Sequence, residues 1–209
     1  MLTNYLSDKE RVKIIDFVET VAGKDSSGHD TLHCIRVEKL ALKIAANELG
    51  EHQDVDARDI QLMALLHCVD DHKISLRTYH TMDNTRACLQ LLNASREKVE
   101  ELCNLIKHIS WQSSKSEVTS DFRLKCIQDA DRLDAIGPIG IARCFMFQGA
   151  NGGSIDAAIS HFDEKLLQVS AKLNTETAKN IAFSYNKYMQ DYVVILKDQL
   201  SMEMAGEKL

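Results

Sequence analysis

Helix breakers are almost absent from this chain, which has one proline and nine glycines in 209 residues. Long stretches of good helix formers lie between them, and that combination points to an all-α fold. Glu10 follows Ser7 at the spacing of a capping box, which predicts a helix over residues 8–22 with Ile14, Phe17, Val18 and Val21 on one face. After the turn GKDSSGHD, helices are expected over 30–48, over 56–70, from Asn84 as cap through Leu92, and from Ser95 to about His108. The polar segment WQSSKSEVTS reads as an exposed loop. A helix over 121–135 is followed by the break IGPIG, where Pro138 suits the first turn of the next helix. GANGGS is a second break, before two closing helices over 155–172 and 175–204. With no internal repeat, low-complexity tract or linker, a single domain over 1–209 is expected, with its core at about 20–200.

Hydrophobic residues make up 44% and charged residues 27%, an ordinary composition for a packed domain. The net charge is −6 and no Lys/Arg cluster stands out, so a nucleic-acid polymer is not the expected partner. A free nucleotide is compatible with that balance, because a metal ion neutralises phosphate locally. The opening segment MLTNYLSDKERVK has no apolar core of signal-peptide length, and no apolar run approaches the roughly 20 residues of a membrane span. The cysteines Cys34, Cys68, Cys88, Cys103, Cys126 and Cys144 are scattered singly with no C-x-x-C pair. They read as reduced thiols of a cytoplasmic protein, and all but Cys68 as small buried hydrophobes.

Histidine and aspartate concentrate at three places. In GHDTLHCIRV, His29 and His33 are four apart and share a helical face, with Arg36 three beyond. HCVDDH contains His67, Asp70, Asp71 and His72. In IQDADRLDAIG, Asp131 lies beside the apolar stripe of Ile127, Ala130 and Leu133, where an unpaired carboxylate is costly. Three helices that each offer His or Asp near apolar surface match what a metal in a helical bundle requires. A lone His on a helix is more often a packing or surface residue, the class to which His52 and His80 are assigned, and Asp129, Asp131 and Asp134 also read as a solvated face.

H-x-x-R-V on one helix, A-L-L-H at the end of the next and a later A-D-R-L together resemble the HD-domain metal-dependent phosphohydrolase superfamily. GHDTLHCIRVEKLALKIA, ALLHCVDDHKI, IKHISW, QDADRLDAIGPIGIARCFMFQGA and HFDEKLLQVSAKLNTETAKNIA resemble a bacterial subfamily of small, stand-alone HD hydrolases, over about residues 20–200. The resemblance implies an all-α HD-domain helical bundle and a divalent metal ion held by His33, His67 and Asp131. The motif's fourth ligand is an Asp after the second histidine, where this chain has Cys68. The implied metal is Mn2+ or Mg2+, with Ni2+, Co2+, Fe2+ or Zn2+ as alternatives. Asp71 stands where related pyrophosphohydrolases organise the attacking water, ahead of Asp70. Arg36 is a catalytic candidate, and either Arg36 or Arg132 clamps phosphate or pairs with Asp30 or Asp134; for Arg132 the ion pair is favoured. His29, Asp30, His108, Arg132, Asp134 and Lys165 are the substrate-binding candidates.

Cys68 leaves three outcomes open: it binds as a thiolate and changes the metal preference, it stays protonated beside a metal held by three ligands, or the metal is lost. The second is favoured, since three protein ligands suffice for a catalytic metal. The leading function is metal-dependent hydrolysis of a small nucleotide, with a nucleoside triphosphate as first candidate and pyrophosphohydrolase chemistry. The alternative is a nucleotide-binding or regulatory module weakened by Cys68, and a third reading treats the histidines as packing residues. Monomer and homodimer both fit the long last helix.

Overall fold

The computed structural model describes residues 1–23, 25, 28–50, 54–110 and 120–206. Those residues fold into α1 (Asp8–Ala22), α2 (Thr31–Glu48), α3 (Ala57–Leu66), α4 (Asp83–Leu91), α5 (Arg96–Ile106), α6 (Phe122–Asp134), α7 (Gly137–Ala150), α8 (Ile155–Glu164) and α9 (Glu176–Gly206). A 3-10 segment, Leu166–Lys172, follows α8. A two-residue parallel pair, Leu2–Thr3 with Val55–Asp56, is the sheet content among the described residues. None of the described helices is long and apolar enough to cross a membrane.

The α1 capping box forms as expected, with the Ser7 side chain accepting from Glu10 N–H and the Glu10 side chain accepting from Ser7 N–H. Helix α2 is the centre of the bundle and packs against both α3 and α6. It buries Cys34, Val37, Ala41, Ile44 and Ala45, whose spacings of three and four draw an apolar stripe along the helix. Glu38 is also buried on α2, and its charge is matched. Arg11 donates to both its oxygens, Gln61 Nε2 donates to it at 2.8 Å, and Leu6 N–H donates to Gln61 Oε1 at 2.9 Å. One polar network thus joins α1, α2, α3 and the segment before α1, with its carboxylate satisfied.

Several boundaries differ from expectation for identifiable reasons. Helix α3 ends at Leu66, not near residue 70, and His67 is its C-cap residue. The His67 ring donates Nδ1–H to Ala64 O at 2.7 Å and so satisfies a carbonyl of the last turn. Asn84 does not cap α4. The N-cap residue is Met82, at φ 59° and without a side-chain cap, and the carboxylate of Asp70 accepts from Asn84 N, Thr85 N and Thr85 Oγ1 instead. A distant turn therefore caps this helix. The helix expected over 155–172 breaks at Lys165 into α8 and the 3-10 segment. Of the expected WQSSKSEVTS loop, residues 111–119 lie outside the described residues, as does His52.

Asp129 is a structural residue, not part of a solvated face. It is fully buried and accepts from Asn174 N at 2.8 Å, Thr175 N at 2.8 Å and Thr175 Oγ1 at 2.8 Å, which ties α6 to the start of α9. Replacing it by alanine orphans these donors in the interior. Asp129→Ala is expected to lower stability by about 2 kcal/mol or more, read from the urea unfolding midpoint.

Candidate metal centre and its cavity

Asp30 caps α2 by accepting from His33 N–H at 2.9 Å, which sets His33 in the first turn of that helix. His33 is fully buried and meets His67 from the end of α3 and Asp131 from α6. His33 Nδ1 lies 2.7 Å from Asp134 Oδ2, one turn beyond Asp131. Asp134 is ionised: burial alone raises its pKa, but hydrogen bonds from His33 and Arg36 bring it down to about 2. A carboxylate and a carbonyl oxygen only accept, so Asp134 and Ala64 O each require the hydrogen on the Nδ1 they face. In their neutral forms both imidazoles then present bare Nε2 atoms, and these lie 3.1 Å apart.

Two more electron-rich atoms join them. Cys68 Sγ is 3.2 Å from His67 Nε2, and Asp131 Oδ1 is 3.5 Å from His33 Nε2 and 3.7 Å from His67 Nε2. One ligand atom from each of His33, His67 and Cys68 lies within 4.8 Å of the others. Burial opposes charging the imidazoles, but Cys68, with Asp134 beside His33 and Asp131 beside His67, outweighs it and pushes the pKa of both histidines up, so without an ion the cluster takes up a proton at the Nε2 atoms. In the same way Asp131 is held below the usual carboxylate range by His67 and His33, against the effect of burial. Lone pairs crowded at these distances call for a cation among them, and nitrogen, sulfur and oxygen donors together fit a divalent transition metal.

The cluster opens into a cavity of about 340 Å³, large enough for the phosphate end of a nucleotide. Cations and a carboxylate line it as well: Lys73, Arg143, Lys165 and Asp71. Asp71 accepts from Lys73 N–H at 2.9 Å, and its side chain is 17% exposed. Lys73 Nζ lies 3.2 Å from His29 Nε2. Burial, with Lys73 and Arg143 nearby, pushes the His29 imidazole down to about 2, so this ring is neutral and accepts from the ammonium. Lys165 is lowered first by burial and then by Lys73, the mark of positive groups drawn close together.

The candidates named from sequence separate on this geometry. His29, His33, His67, Cys68, Asp71, Asp131 and Lys165 all line the cavity. Asp30, Arg36, His108, Arg132 and Asp134 are not among its lining residues. Arg36 donates to both oxygens of Asp134, at 2.7 and 3.0 Å, so its guanidinium is paired with the carboxylate that also faces His33. Arg132 points toward Lys172 O and Asp129, and the carbonyl of His108 accepts from Gln128. Asp134 is occupied by His33, Arg36 and Arg143. In the other direction, His80 lines the cavity despite its assignment as an ordinary residue, and so do Lys73 and Arg143, which sequence reasoning passed over.

Arg143 could have been flagged, being the one charged residue in the helix GPIGIARCFMFQGA. It bridges two parts of the site, donating to Asp134 Oδ2 at 2.9 Å and to Gly28 O at 2.8 Å. Gly28 has φ +91°, and a Cβ there would stand 3.1 Å from Arg143 Cγ, so this turn favours glycine on two counts.

No family model matches the chain. It is 32% identical over 204 residues to YpgQ of Bacillus subtilis, covering 95% of each protein. The structure of that protein in complex with ADP superposes with a TM-score of 0.70 at 31% identity, over 90% of this chain and 97% of the other. A structure from Lactobacillus plantarum superposes at 0.79, with 27% identity over 94% and 99%. An HD-superfamily hydrolase from Bacillus thuringiensis superposes at 0.69, with 31% identity over 92% and 97%. This likeness runs through the helices that carry His33, His67 and Asp131, and the chain belongs to the HD-superfamily hydrolases.

Proposed function

We propose that this protein is a divalent-metal-dependent phosphohydrolase of small nucleotides, with a nucleoside triphosphate as substrate and cleavage of pyrophosphate type. The observation that carries the reading is the pair of bare Nε2 atoms of His33 and His67 converging with Asp131 at one end of a cavity that is also lined by cations. The ADP found in YpgQ supports a nucleotide as occupant. A divalent ion held by His33, His67 and Asp131 would supply Lewis acidity toward the phosphoryl group and toward water.

The side chains divide the remaining work. Lys73, Arg143 and Lys165 bind and orient the phosphate chain by charge. Asp71 accepts a hydrogen bond from the attacking water and takes its proton. Neutral His29 stays close to Lys73 and holds the ammonium toward the phosphates. Asp134, fixed by Arg36 and Arg143, keeps the His33 ring in the orientation that turns Nε2 to the ion.

A second reading, a nucleotide-binding module with little turnover, rests on Cys68. The thiol of Cys34 beside it, together with burial, pushes the Cys68 thiol up to about 12. Without a cation it is therefore protonated. Product analysis with a panel of nucleoside triphosphates and several divalent metals distinguishes the two. Release of pyrophosphate supports the enzyme, and nucleotide binding with no product under any metal supports the module.

Two substitutions test the division of roles. Asp71→Asn is expected to lower kcat by about 100-fold or more with little change in KM, because it removes a proton acceptor and leaves the phosphate-binding cations in place. Asp134→Asn is expected to weaken metal binding by about 10- to 100-fold, measured by calorimetric titration of the ion.

A further inference from the structure

The donors of this centre differ in chemical softness, and the difference bears on which ion they hold. We propose that Cys68 coordinates as a thiolate, which makes this a centre for a borderline-soft divalent ion of the zinc class and disfavours manganese and magnesium. The inference deepens the phosphohydrolase reading of the same centre and rests on it.

The position of the sulfur carries the argument. Cys68 is 2% exposed, and its Sγ lies 3.2 Å from His67 Nε2, an atom with no hydrogen of its own in the neutral ring. Around one tetrahedral ion, with bonds of about 2.0–2.1 Å to nitrogen and about 2.3 Å to sulfur, neighbouring donors stand about 3.3–3.6 Å apart. The nitrogen–nitrogen distance of 3.1 Å and the nitrogen–sulfur distance of 3.2 Å are slightly shorter than that spacing. An ion held by His33 and His67 therefore has the Cys68 sulfur as a neighbouring donor. This is the reason to revise the expectation that Cys68 stays outside the ligand set.

One ligand atom from each of His33, His67 and Cys68 lies within 4.8 Å of the others. Asp131 adds one oxygen donor, so the set is two imidazoles, one thiolate and one carboxylate, which suits zinc or cobalt better than an ion that demands oxygen. Binding exchanges the Sγ–H bond for a sulfur–metal bond, the proton passes to solvent and no electron is transferred.

Cobalt(II) is the probe, because a cobalt–thiolate bond absorbs in the near ultraviolet and imidazole or carboxylate ligation alone does not. The full chain loaded with Co2+ is expected to show that band. Cys68→Asp is expected to bind Co2+ without it. The ratio of Zn2+ to Mn2+ affinity is expected to fall by about tenfold or more in Cys68→Asp, one decade in dissociation constant. Cobalt bound to the unaltered chain without the band, or a band that persists in Cys68→Asp, would overturn the thiolate and leave the hydrolase reading standing. No cobalt bound at all would overturn both. Cys68→Ser, nearly isosteric, guards against misfolding of the Asp variant: it too must lose the band.

Discussion

Two imidazoles that give their Nδ1 hydrogens to oxygens behind them turn their Nε2 atoms toward each other, 3.1 Å apart, and the site is organised around that pair. Neither arrangement is local. His33 depends on Asp134, which is 101 residues away in sequence, and His67 depends on α3 stopping where it does. The packing of α2 between α3 and α6 brings these groups together, and the apolar stripe of α2 supplies the driving force. Burial removes competing water, so each lone pair counts for more than it would at the surface.

Charge is layered outward from that pair. Asp134 neutralises Arg36 and Arg143 while holding His33, so one buried carboxylate serves both an imidazole and two cations. Arg143 in turn reaches back to the carbonyl of Gly28 before α2, which couples α7 to the helix that carries His33. Lys73 and Lys165 add positive charge on the cavity side, in a chain whose net charge is −6. An acidic protein can thus present a locally cationic cavity to a phosphate, because the sign of a small site is set by which side chains the fold gathers there.

Much of this was legible in sequence. The scarcity of glycine and proline, the capping box at Ser7 and Glu10, and the stripe of Ile14, Phe17, Val18 and Val21 are local signals that tertiary packing had no reason to overrule. His33, His67, Cys68, Asp71 and Asp131 stand out because their residue types occur at motif spacing, and all of them line one cavity. Less was legible where a polar residue had several partners available. Arg36 and Arg132 offer the same chemistry in sequence, yet one supports Asp134 and the other faces Asp129 and Lys172. Asp70 and Asp71 are adjacent, yet one caps α4 from a distant turn while the other accepts from Lys73 N–H and presents a partly exposed carboxylate.

The sequence by itself therefore determined the all-α class, most helix positions and the identity of the donor atoms, because helix periodicity, capping and ligand chemistry are properties of short segments. Tertiary structure alone decided which polar groups support and which face the cavity, and it brought Lys73, His80 and Arg143 to that cavity from separate segments. It also decided that the Cys68 sulfur points at His67. Those outcomes depend on distances between helices far apart in the chain, and the spacing of residues along one helix carries no information about how closely another helix approaches it.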